Sequence, residues 1–317
     1  MSGPEAEAQG ARPPVAPILF LGFVVLAWGG NYPLVKIALA DGGAWSFNAL
    51  RYGLSVLVLG TVLALTIGWR QLLPVPGERR ALALIGLLQV AAMTGGTALA
   101  MERIEAGRTV LIAYSMPLWG LILGAAILGE RVTARALAGL VTGMAGLVLL
   151  AAPWAMDWAD RGALLGSGLA LGATMCWALG AVLYRQRVWR SGFWQQIFGQ
   201  LAAAGAVLIA AALLFETRAT TPTPSYVAVV LWNAVVPTVL GFWCWARALQ
   251  VVPVSRAGQV LLMSPVVGVG LSALLVGEPL TVTILASTGL IVAGAMLAYP
   301  RRPAPPAAPG RRDGAGP

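Results

Sequence analysis

The chain has no histidine, a single lysine (Lys36), two cysteines and only 12 acidic residues among its 317. Without histidine there is no Ser-His nucleophile pair and no histidine-liganded zinc. Cys176 and Cys244 stand apart in separate apolar stretches. They offer neither a disulfide framework nor a metal quartet, and are expected to pack as small apolar residues. Glu102, Glu105, Glu130, Glu216 and Glu278 all fall near the ends of apolar segments, so no carboxylate pair stands ready for acid and base work. The expectation is a protein that is not an enzyme and uses no cofactor or metal.

What the chain has is apolar length. Hydrophobic residues make up 58%, charged residues 10%, and mean hydropathy is +0.80, which is too apolar for a soluble globule. A helical span needs roughly 20 apolar residues. Ten such spans fit between residues 18 and 299: 18–39, 46–68, 81–101, 109–128, 134–152, 162–184, 193–215, 226–248, 257–276 and 282–299. No segment alternates apolar and polar residues as a membrane β-strand would. The first apolar run is span-length and preceded by Glu5, Glu7 and only Arg12, so it reads as a retained helix rather than a cleaved signal.

Arginine placement predicts orientation. With the N-terminus in the cytoplasm, fifteen arginines fall on the cytoplasmic side (Arg12, Arg70, Arg79, Arg80, Arg131, Arg135, Arg185, Arg187, Arg190, Arg247, Arg256, Arg301, Arg302, Arg311 and Arg312). Only Arg103, Arg108, Arg161 and Arg218 fall opposite. The positive-inside rule then puts both termini in the cytoplasm of a cell membrane, expected to be a bacterial inner membrane. The net charge of +9 is thus a topology signal, and no nucleic-acid partner is expected. The partners expected are the lipid bilayer and a small-molecule substrate; the oligomeric state is left open, a monomer being sufficient.

The chain is also duplicated. Pro117, Gly129, Glu130 and Thr133 recur 148 residues later as Pro265, Gly277, Glu278 and Thr281, and Ala100, Gly120, Ala125 and Gly146 superpose on Ala248, Gly268, Ala273 and Gly294 at the same offset. Five spans per copy is an odd number, which turns the second copy upside down. Charge agrees with the inversion: Arg131 and Arg135 follow the first Gly-Glu, whereas no Lys or Arg lies between Glu278 and Thr281. The fold class expected is an all-α integral membrane protein of ten transmembrane helices in two inverted five-helix repeats. Its parts are a disordered cytoplasmic N-terminus (1–17), a first repeat (18–152), an external linker (153–161), a second repeat (162–299) and a disordered cytoplasmic tail (300–317).

These residues resemble the drug/metabolite transporter superfamily, in its EamA-like branch. Trp28-Gly29-Gly30-Asn31-Tyr32, followed by Lys36, is similar to that branch's opening motif. Arg51, Ala98-Leu99, Gly107-Arg108, Pro117, Leu128 to Thr133, and Gly139 through Gly146 follow in order. The second half opens with Trp177-Ala178-Leu179-Gly180 instead, and Ile197 stands near the place of Arg51. The resemblance implies ten helices, alternating access, and movement of amino acids, amines or related small metabolites, often outward.

Candidate site residues follow from their cost in lipid. Mid-span prolines free backbone carbonyls, which lipid cannot satisfy, so Pro117, Pro237 and Pro265 are expected to bend helices around a central site. Residues placed at the same depth are Trp28, Asn31, Gln89, Met93, Tyr114, Trp119, Trp177, Asn233, Trp243 and Met263. Each is a candidate for lining a substrate cavity or for interhelical packing. Lys36 is read either as snorkelling beside Asp41 or as part of a gate or an anchor for an anionic substrate group. Arg51, one turn into the second span, is read as an end-anchored charge or as a partner of Glu102 or Glu105. Glu130 and Glu278 are read as caps for the helices beginning near Thr133 and Thr281. Trp45, Trp69, Trp154, Trp158, Trp189 and Trp194 lie near span ends, as an interfacial belt would. With no central net charge expected, a neutral or zwitterionic amphipathic solute fits better than a polyanion such as a sugar nucleotide, while Lys36 and Arg51 keep an acidic metabolite as an alternative. A noncatalytic scaffold is the reading from another class.

Overall fold

The computed structural model describes residues 15–129, 132–151, 160–249, 252, 257 and 260–298, and among them every regular element is helical. In chain order these are α1 (Val15–Gly29), α2 (Asn31–Asp41), α3 (Ala44–Thr66), α4 (Arg79–Gly86), α5 (Met93–Met101), α6 (Ala106–Ala113), α7 (Met116–Leu128), α8 (Ala134–Ala151) and α9 (Arg161–Arg185). They continue with α10 (Phe193–Phe215), α11 (Pro224–Asn233), α12 (Gly241–Leu249), α13 (Ser264–Val276) and α14 (Val282–Ala298). Joined across their internal irregularities, seven helical stretches are long and apolar enough to cross a membrane. Residues 134–150, 264–276 and 282–297 form three shorter apolar helices. The tails, most of the 153–161 linker, Trp154, Trp158, Glu130, Arg131 and Arg256 lie outside the described residues.

The interruptions recur at the repeat offset. A wide turn of π-helix, Leu87–Ala92, joins α4 to α5, and another, Ala234–Leu240, joins α11 to α12. The turn at Tyr114–Ser115 parts α6 from α7, and the turn at Leu262–Met263 precedes α13. Pro117 and Pro265 therefore do not bend continuous helices, as expected from sequence. Each sits in the first turn of a new half-helix, where a missing N–H costs nothing because no intrahelical partner exists there. Pro237 does lie inside a helical stretch. Its ring supplies no N–H to the helix, and the Thr238 hydroxyl donates to Asn233 O at 2.9 Å. Ser55 Oγ donates to Ala234 O at 3.1 Å and Trp28 Nε1 donates to Pro237 O at 2.9 Å, so neighbouring side chains satisfy the loosened segment.

The first span also differs from expectation. It divides at Gly30 into α1 and α2. Pro33 lacks the N–H that would take the Gly29 carbonyl, and Gly29 is pressed against Ser264, whose carbonyl oxygen would stand 2.5 Å from a Cβ added there. Its counterpart α9 runs unbroken for 25 residues.

Close helix packing depends on small residues, as lipid-embedded association requires. A Cβ on Gly294 of α14 would lie 2.4 Å from Gly143 N of α8, and one on Gly86 of α4 would lie 2.4 Å from Gln200 O of α10. Neither backbone pair could come so near with a side chain between.

Carboxylates fasten the two ends of the bundle. Glu278 accepts from Ala106 N at 2.6 Å and Gly107 N at 2.7 Å, capping α6, which lies in the other half of the chain. The expectation that it caps the following helix is corrected: Thr281 Oγ1 fills that role for α14, accepting from Ile284 N at 3.2 Å, as Thr133 does for α8. Glu216 accepts from Ser46 N at 3.1 Å, and Glu102 from Ala44 N at 2.8 Å, both at the start of α3. A Cβ on Gly43 would stand 2.0 Å from the Glu216 carboxylate, which would have to swing aside. At the opposite end Glu78 accepts from Arg190 N at 2.7 Å and Ser191 N at 3.0 Å, just before α10. Gly129 and Gly277 end α7 and α13 in left-handed conformation, φ 66° and 72°, which favours glycine. The repeated motif is thus a helix stop, a carboxylate (seen at Glu278 to reach across to the other half), and a threonine start.

Candidate functional site

The irregular segments converge on one cavity. It holds about 230 Å³ and is lined from α1 and α2 (Trp28, Asn31, Tyr32, Val35), α3 (Asn48, Arg51, Tyr52) and the first π segment with α5 (Gln89, Val90, Met93, Thr94, Thr97, Ala98, Met101). Tyr114 and Met116 flank the α6–α7 turn, Trp177 comes from α9, Leu201 from α10, Pro237, Thr238 and Phe242 from the second π segment and α12, and Leu261 from the chain before α13. Nonhelical backbone at membrane depth is tolerated where it is buried in protein or lines a cavity, and here four loosened segments share one.

The lining is mostly apolar and aromatic, with one formal charge. Arg51 is 7% exposed, lies two turns into α3, and its guanidinium sits 4.8 Å from the Tyr52 ring centroid. Arg51 Nη2 donates to Thr238 Oγ1 at 3.5 Å, while Nε has no hydrogen-bond partner. Among the described residues, no Asp or Glu lines the cavity. Asn48 Nδ2 donates to Ala44 O at 2.9 Å, which fixes the amide orientation and leaves Oδ1 without a partner. Asn31 Oδ1 is likewise without one. Tyr32 and Tyr114 approach with ring centroids 6.4 Å apart.

Of the residues singled out from sequence, Trp28, Asn31, Gln89, Met93, Tyr114, Trp177, Pro237 and Arg51 meet at this cavity. Trp119, Asn233, Trp243, Met263, Pro117, Pro265 and Lys36 are absent from its lining. Trp119 Nε1 donates to Ser115 Oγ at 3.2 Å, supporting the α6–α7 turn. Asn233 is fully buried and its Nδ2 donates to Val229 O at 3.1 Å. Trp243 turns outward against Phe20, and Met263 is half exposed. Lys36 neither snorkels nor pairs with Asp41. Its ammonium donates to the carbonyls of Met101 and of Ile104 (2.9 Å), capping the end of α5 where the helix dipole favours a cation. Asp41 instead accepts from Thr223 Oγ1 at 2.6 Å. Arg51 meets Thr238 rather than Glu102 or Glu105.

Sequence reasoning passed over Asn48, Tyr52, Thr94, Thr97 and Thr238. The signal was present: Asn48, Arg51, Tyr52 and Ser55 recur at helical spacing and so share one face of α3, as Thr94 and Thr97 do on α5. A polar stripe inside an apolar span marks the face turned from lipid.

The EamA-like transporter family model matches twice, over residues 16–152 and 164–299. The chain belongs to this family, and is accordingly a multi-pass membrane transporter and not an enzyme. It is 26% identical to the uncharacterized transporter YvbV of Bacillus subtilis (strain 168), covering 86% of this chain and 88% of that one. It is 24% identical to a probable amino-acid metabolite efflux pump of Escherichia coli (strain K12), covering 81% and 86%. A crystal structure covering 90% of this chain and 96% of its own superposes with a TM-score of 0.65 at 21% identity, a likeness of fold.

Proposed function

We propose that the protein exports or exchanges neutral or zwitterionic amino acids, or related amphipathic solutes, by alternating access. Its ten spans form two inverted five-helix repeats, 18–152 and 162–299, with both termini in the cytoplasm of a bacterial inner membrane. The observation that carries this reading is the convergence of helix interruptions at matched positions of both halves on one cavity. Such paired breaks allow two halves to rock about a shared site. The volume is below the roughly 300–1,000 Å³ typical of drug-sized pockets, which suits a small metabolite. The efflux-pump relatives support the outward direction. A single cation in the lining disfavours a sugar nucleotide, whose phosphates would draw several.

With no carboxylate in the lining to relay protons, flux follows the solute gradient. Counterflow in proteoliposomes tests the proposal: preloaded unlabelled amino acid should accelerate entry of labelled amino acid. Net uphill movement driven only by an imposed pH gradient would overturn gradient-set flux. Resistance on overexpression to a panel of toxic amino acid and amine analogues identifies the solute.

A further inference from the structure

We infer that Arg51 is the anion subsite of this cavity, and that the carrier selects solutes bearing a carboxylate while rejecting amines that lack one. This rests on the transport reading above and narrows it. Arg51 is 7% exposed and faces no carboxylate in the lining. A guanidinium so placed is costly unless a counter-charge completes it. What it has is incomplete: the Tyr52 ring near one face at 4.8 Å and the Thr238 hydroxyl at 3.5 Å. The guanidinium carbon lies over the Tyr52 ring, and Nε, enclosed by the protein and without a partner, marks an edge whose hydrogen bonding is unfilled. A carboxylate matches that edge with two parallel hydrogen bonds.

The remainder of the cavity suits the rest of such a solute. Trp28, Trp177, Phe242 and Met93 present apolar surface for a side chain. Asn48, three residues before Arg51 on the same helix, lines the cavity too, and its buried amide oxygen has no partner within the protein. No described residue of the lining supplies a negative charge for a cation. Thr238 belongs to the second half of the chain, so the Arg51–Thr238 contact spans the two halves at the site itself. A carboxylate competing for that guanidinium edge would act where the halves meet.

The test uses the full chain in proteoliposomes and a matched pair of probes, phenylalanine and phenylalaninamide, whose bodies are alike and of which only the first has a carboxylate. Wild-type protein should prefer phenylalanine by at least about tenfold in half-saturation, the scale of one charge-assisted hydrogen bond. Arg51→Gln should raise the phenylalanine value about 10- to 100-fold and leave the amide's unchanged, with Arg51→Lys between them. Retention of the wild-type preference in Arg51→Gln, or wild-type uptake of the amide as good as that of phenylalanine, overturns the inference and leaves the transport reading intact. If neither probe moves in wild-type protein, the transport reading for this cavity fails and takes the inference with it. Should no Arg51 variant fold, 3-phenylpropionate decides with wild-type protein alone. Competition with phenylalanine supports the subsite, and its absence overturns it.

Discussion

The two halves of the chain share a scaffold and differ in what they bring to the cavity. Helices α3 and α10 each run 23 residues, the π segments fall at matched positions, and both half-helix starts carry proline. Yet α1 and α2 are parted where α9 is continuous, and aligning α3 with α10 end to end sets Gln200 opposite Arg51. Gln200 is as buried as Arg51 but does not line the cavity. Duplication has kept the matched helix breaks, while the one charged residue among the described lining comes from the first half.

The hardest strain on the shared scaffold is steric. Gly86→Leu places side-chain atoms where Gln200 backbone already stands, and the monodisperse, thermally stable fraction in detergent should be largely lost; Gly168→Leu, with nothing within 4 Å, should leave it unchanged. Glu278→Ala removes both acceptors at the start of α6, and a loss of about 2–4 kcal/mol should appear as a lowered melting temperature, with Glu278→Gln losing less. Lys36→Met uncaps α5 and should cost about 1–2 kcal/mol by the same measurement, without altering the preference between phenylalanine and its amide. Smallest is Thr238→Val, which removes the hydroxyl's bond to Asn233 O and should lower stability by about 1 kcal/mol, read in the same melting experiment. Gln200→Leu sharpens the asymmetry itself: solute preference should stay at the wild-type value, and a shift comparable to that of Arg51→Gln would show that both halves recognise solute.

Much of the scaffold was legible because its causes are local. Apolar length located the helical stretches, and the 148-residue offset paired Pro117 with Pro265; it did not reveal the matched π segments, one holding Gln89 and the other Pro237. Proline identity could not tell a bent helix from a fresh start, since that depends on whether the preceding residues remain helical. At Tyr114–Ser115 they do not, while at Val236 they do. The cavity was legible in part for the same reason. Depth along a span follows from counting residues, and Trp28, Gln89 and Trp177, set at mid-depth that way, line the cavity. Which face turns inward depends on neighbours far away in sequence. Trp243 has the composition and depth of a lining residue, and packing sends it outward against Phe20. The Glu278 contact was beyond reach for a plainer reason: its partner amides lie 171 and 172 positions earlier.

That separation bears on how the protein is made. During synthesis the start of α6 emerges long before the residue that caps it. At about 5–20 residues per second, the interval over 172 residues is roughly 9 to 34 s. Until then two amide N–H groups at that helix start lack their acceptor, and the first half stands in the bilayer with one joint open. The last quarter of the chain closes it, so a ribosome stalled before Glu278 would leave a nearly complete molecule that is unlatched at one end.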